Sequence, residues 1–333
     1  MMDGFDSGTF TAPLPGGDAA GILPEEADTF WEGVLQILEE LLPQLQPAFA
    51  EAFGICICLI LASFLLSLVD VLPGKRKQML ELTGSVVMGV LLLRGSSSLI
   101  GLGVDTVREL SQYGNLLLPV MAAALAASGG GAVSAAQYAG TVFFDSVLSS
   151  LTTNLLPPMI GIYLCLALGV SALDEPMLEK LLDLMKWVAG WCLKLILYTF
   201  TGYMGITGII SGATDAAALK AAKLTISGMI PMVGSILADA SEAVLVSADL
   251  VRNAAGIWGL LAILAICLGP FLRMGLQYLL LKCTSVLCTV FVGKKGARLI
   301  GHFSTAMGIL LAMTGSCGLL LMISAVCFMR GVG

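Results

Sequence analysis

The feature that most constrains this chain is the recurrence of apolar runs about as long as a bilayer core is thick. A spanning helix needs roughly 20 apolar residues. Runs of that kind occupy 53–72, 82–103, 155–172, 187–210, 255–281 and 303–329. Only 12% of the 333 residues are charged, against about 25% in a soluble domain. The mean hydropathy is +0.95, so the chain has too few polar groups to cover a water-soluble surface of its size. The expected fold class is all-α, a polytopic transmembrane helical bundle.

Charge divides the chain in two. Residues 1–52 hold ten Asp and Glu and no Lys or Arg, while the remainder holds all 17 basic residues and 13 acids. An acidic extracytoplasmic head, 1–52, thus precedes a mildly basic transmembrane domain, 53–333. Neither part offers the basic patch that phosphate contacts need, so no nucleic acid is expected as a partner. Residues 1–20 show no basic stretch followed by an apolar run. Either the first spanning helix directs insertion or a signal has already been removed. Within the head, Phe30, Val34, Ile37, Leu38 and Leu41 recur at helical spacing. They predict an amphipathic helix over 25–42, broken by Pro43 and Pro47, that meets a partner protein or the membrane body.

Two regions, 116–151 and 224–251, are weaker. Each opens with a short apolar stretch around a proline, Pro119 or Pro231. Stretches of 10–14 apolar residues are too short to span and read as broken or re-entrant. Pro119 and Pro231 are 112 residues apart, as are Pro158 and Pro270, and Arg108 and Lys220. That spacing predicts two related halves, 53–151 and 155–251, followed by helices 255–281 and 303–329.

Basic residues concentrate at 73–81, 211–223 and 282–302, whereas 104–115, 173–186 and 239–253 are net negative. The positive-inside rule places the first three in the cytoplasm. With the head outside, the chain then makes about eight crossings, and the halves run in opposite directions as an inverted-topology repeat.

Catalytic signatures are missing. The one histidine is His302, there is no H-E-x-x-H and no P-loop, and Gly101–Asp105 misses the G-x-G-D of intramembrane aspartyl proteases by one residue. The nine cysteines form no C-x-x-C pair and read as small packing residues. No enzyme activity, metal or cofactor is expected. Ionisable residues within apolar runs say more, because a charge in hydrocarbon costs about 2.5–3.5 kcal/mol on insertion scales. Arg94, Lys194 and Asp145 are such residues. They read either as internal ion pairs and snorkelled side chains or as groups lining a conducting or partner-facing path. Arg273 sits nearer a helix end. Gly202, Gly205, Gly208 and Gly212 have the spacing of a close helix contact.

The stretch Gly205–Leu245, GITGIISGATDAAALKAAKLTISGMIPMVGSILADASEAVL, resembles the most recognisable part of the stage III sporulation protein AE family. Asn115–Gly130 and Arg252–Ile263 are similar to its flanking segments, and the likeness covers about 30–330. The resemblance implies a permease-like, non-enzymatic component of a channel between mother cell and forespore. It implies a place in the mother-cell membrane around the forespore. The partners it implies are other membrane proteins of that complex, a separate ATPase and a forespore membrane protein. The residues alone leave two alternatives open, a stand-alone secondary transporter and a non-conducting assembly scaffold.

Overall fold

The computed structural model describes residues 30–69, 75–173, 176–229, 234–291 and 294–330, and all of it is helical apart from one short turn. Seven α-helices follow in order among the described residues. They are α1 (Phe30–Val69), α2 (Lys75–Ala127), α3 (Gly131–Ser150), α4 (Leu156–Leu173), α5 (Pro176–Met229), α6 (Gly234–Phe291) and α7 (Lys294–Arg330). A π-helical segment, Leu151–Leu155, joins α3 to α4.

Four of these are long and apolar enough to cross a membrane, within Phe30–Ser67, Thr83–Ala127, Asn253–Phe291 and Gly296–Met329. The bent pair α3–α4 makes a fifth if it is taken as one span. Helix α2, with 53 residues, is about 80 Å long at 1.5 Å per residue. A hydrocarbon core of about 30 Å cannot hold it upright, so its ends extend past the apolar layer.

The core is a hairpin of α6 and α7. Going up α7, Gly301 lies on Ser285, Gly308 on Tyr278, Gly315 on Phe271 and Gly318 on Cys267. A glycine at each step lets the backbones approach, which is how helices associate where lipid supplies no hydrophobic drive. By contrast, Gly202 and Gly205 face open space, so the described part of that glycine series is not a packing seam. Helix α1 lies beside α6 and runs the same way, Leu261 covering Gly33 and Leu41 covering Gly269. Ile37 and Leu41 are buried in the core. The amphipathic stretch of the head is thus the first part of α1, it docks on the membrane body, and the 52/53 boundary falls inside one helix. Pro43 and Pro47 sit within that helix and do not end it. Neighbouring helices commonly absorb the lost amide donor in such bundles.

Helix α2 likewise runs unbroken through 104–115 and through Pro119. The chain turns nine residues after that proline, at Ser128–Gly130. Gly129 takes φ 96°, its N–H donates to Ala126 O at 3.1 Å, and the Gly130 N–H donates to Leu125 O at 3.0 Å. That is a Schellman cap, which requires a left-handed residue and so favours glycine. One proline removes one donor, whereas the SGG sequence supplies a complete stop. Pro231 lies outside the described residues.

The segment 131–173 is a bent helix pair that counts as one candidate span, where the apolar runs indicate two crossings. Pro157 and Pro158 have no N–H to give to the carbonyls of Thr153 and Asn154, and the ladder widens there into the π segment. The bend is 42°, far from a reversal. Partners on α7 descend in step: Thr141 meets Ser324, Thr152 meets Cys317, and Tyr163 meets His302.

This pass changes the parity of everything after it. Gly296 packs on Ser63 and Met88, Leu66 on Gly84, Leu168 on Gly89, and Leu178 near Gly169. The end of α1, the start of α2, the α4–α5 junction and the start of α7 therefore share one end of the bundle, the end that carries Lys75–Lys77 and Lys294–Arg298. Segment 173–186, expected opposite to 282–302, lies on the same side as it. Helices α2 and α5 both set out from this basic end, so the paired halves run in the same direction, not in opposite ones. The starts of α2 and α5 are 101 residues apart, which also departs from the 112-residue proline spacing. The expected loops 211–223 and 239–253 lie within α5 and α6.

Candidate functional site

Helix α3 places Ser134, Gln137, Thr141 and Asp145 on one face, three and four residues apart, and all four are buried. The hydroxyls and the carboxyl group on this face find partners across the bundle. Ser134 Oγ donates to Ala122 O at 2.6 Å. Thr141 Oγ1 and Ser324 Oγ share a bond of 2.8 Å. Ser111 Oγ donates to Asp145 Oδ2 at 2.8 Å. At the second residue of the π segment, Thr152 Oγ1 stands 3.9 Å from Cys317 Sγ. Gln137 Oε1 is buried with no hydrogen-bond partner among the described residues.

Asp145 is 7% exposed, and a hydroxyl is its hydrogen-bond partner. Among the described residues no cation pairs with it. A buried carboxylate without a counter-charge costs several kcal/mol, and a single hydroxyl donor recovers only part of that. The seam is a row of separate polar contacts that tie α3 to α2 and α7.

Arg94, Lys194 and Asp145 are not brought together, and among the described residues no ion pair joins any of them. Arg94 and Lys194 are both exposed on the outside of the bundle, as is Arg273. Arg94 heads a stripe on α2. Arg94, Ser98, Gly101, Asp105, Arg108 and Gln112 follow at intervals of four, three, four, three and four, and every one is exposed. Asp105 and Arg108 stand 3.4 Å apart within it. A recurrence of 3.5 residues keeps one helix face toward a neighbouring helix. Sequence inspection for buried charges passed over this stripe; a search for a polar period of 3.5 inside an apolar helix finds it.

Lys194 opens on a groove of about 610 Å³ between α5, α6 and α7, with Asp183, Lys186, Trp187, Trp191 and Lys282 on its walls. Among the described residues no group of three His, Cys, Asp or Glu stands close enough to hold a metal.

An all-helical chain with four to five candidate membrane spans, a buried polar seam and an outward polar stripe has the make-up of an integral membrane protein. The stage III sporulation protein AE family profile matches residues 27–331, and the chain belongs to that family. Stage III sporulation protein AE of Bacillus subtilis strain 168 is 26% identical over 190 residues, 57% of this chain. The match spans 47% of that relative's length. No solved structure matches.

Proposed function

We propose that this protein is a non-enzymatic, permease-like membrane component of a sporulation-specific channel complex between mother cell and forespore, seated across the mother-cell membrane. The family match over nearly the whole chain carries the sporulation half of this reading. The α2 stripe supports the channel half. Six exposed polar or small positions on one face of an apolar helix are costly against lipid tails. They are stable against water or against another protein. In this reading the stripe faces a partner helix or the aqueous path of the assembly, and the Asp145 seam stiffens the bundle behind it. The family resemblance implies that a separate ATPase supplies the energy, and that other membrane proteins of the complex with a forespore membrane protein complete the route.

The heptad spacing also favours a scaffold that conducts nothing, because a partner helix alone would satisfy it. Affinity purification of the tagged protein from sporulating cells tests the reading common to both. Other membrane proteins and an ATPase are expected to co-purify. Recovery of this chain alone after crosslinking would contradict it.

A further inference from the structure

The groove beside Lys194 has a chemistry that the channel reading leaves unused. Three cations, Lys186, Lys194 and Lys282, line it against one acid, Asp183. All four are exposed. Lys186 lies ten residues into α5 and Lys282 nine residues before the end of α6, so both stand about 15 Å along their helices from the basic end. Lys194 lies two turns deeper. Trp187 and Trp191 form the outer lip, 62% and 52% exposed, with ring centroids 6.0 Å apart and planes at 18°. The floor is Tyr278, whose ring packs closely on Gly308 of α7.

Indole rings of this kind collect at the membrane–water boundary, where one edge is wet and the face is apolar. Basic pockets between helices on the cytoplasmic side hold acidic headgroups. Beside the lysines, Leu184, Val188 and Leu195 on α5 and Leu279 and Val286 on α6 are exposed. They provide apolar surface for acyl chains next to the cationic pocket.

We propose that this groove is a binding site for an anionic phospholipid, its phosphate held by Lys186, Lys194 and Lys282 and its acyl chains lying against the tryptophan lip. An acidic segment of a partner protein could neutralise the same lysines but has no use for the apolar flanks. A free phosphate ion has no use for them either. Charge and apolar surface occur together here as they do in a lipid. Lys194 is thereby placed as a headgroup ligand, not as half of an internal ion pair.

Tryptophan quenching reads this site directly. The full chain is placed in lipid nanodiscs containing phosphatidylcholine with a minor share of phosphatidylglycerol, one of the two brominated on its acyl chains. Trp31→Phe and Trp258→Phe leave only the groove pair to report. Brominated phosphatidylglycerol is expected to quench more strongly than brominated phosphatidylcholine at equal mole fraction. In Lys186→Gln/Lys194→Gln/Lys282→Gln that preference should fall on the order of tenfold or more. Lys180→Gln, exposed on the same helix outside the groove, should keep it and control for charge alone. Equal quenching by the two lipids, or an undiminished preference in the triple variant, overturns the proposal. So does loss of the preference on adding inorganic phosphate at constant ionic strength, which would mark a site for the free ion. Abolition of the preference by an acidic peptide at constant ionic strength would likewise overturn it and mark a protein site.

Discussion

Sporulating cells that lack this protein are expected to complete engulfment and then stop, with heat-resistant spore counts falling by orders of magnitude. The expectation rests on the proposed channel role. A forespore enclosed by membranes receives polar solutes only through a protein route, because carrying an unpaired polar group through hydrocarbon costs several kcal/mol. Without one membrane-embedded component the route does not form. A copy of the gene supplied in the mother cell should restore sporulation, whereas a copy expressed only in the forespore should not. Normal spore counts in the deletion strain would remove the protein from any required step.

The second large effect is expected on α2. Arg94→Leu with Gln112→Leu turns two positions of the stripe into lipid-compatible surface. Both residues are exposed, so the bundle itself loses no buried contact and protein abundance should be unchanged. Removing a charge from a desolvated protein contact costs about 2–5 kcal/mol. The assembly should therefore weaken by more than tenfold, and spore counts should fall with it. Arg273→Leu, on α6 outside the stripe and the groove, should have a far smaller effect. Lys194→Leu should fall between them, because it removes one of three groove cations. Immunoblots beside spore counts separate the outcomes. Full sporulation of the α2 double variant would show that the stripe has no functional neighbour, and loss of the protein itself would show that it is structural.

Helix content and membrane character were legible in the sequence, because apolar length and scarcity of charge do not depend on how the helices meet. The number of passes was not. Hydropathy shows 104–115 as a polar interruption, but a helix longer than the bilayer carries polar residues without bending, as α2 does. Proline alone does not mark the turns. At Pro119 a single missing donor leaves the helix intact, while Pro157 and Pro158 together widen it into a π segment that bends the pass and does not reverse it. The actual turn depends on the positive φ of Gly129, a signal written as SGG in the sequence. Taking 131–173 as one bent span instead of two crossings reverses the direction assigned to the second half. Among the site residues, Asp145 was recognised as an acid in an apolar helix. Its seam was not, since Ser111 and Asp145 are 34 residues apart in sequence. Arg94 and Lys194 were recognised as charges, but whether a charge points inward is decided by packing, and both point out.

The pass order is the claim on which the bundle, the groove and the stripe all depend, and cysteine accessibility in membrane vesicles measures it. On a cysteine-free background, single cysteines replace Met79, Met177 and Gly131, which are all exposed. The structure predicts that Met79→Cys and Met177→Cys are modified by an impermeant reagent from the same, cytoplasmic side, and Gly131→Cys only from the opposite side. Modification of Met177→Cys from the side opposite to Met79→Cys would contradict the single pass through 131–173 and the fold built on it.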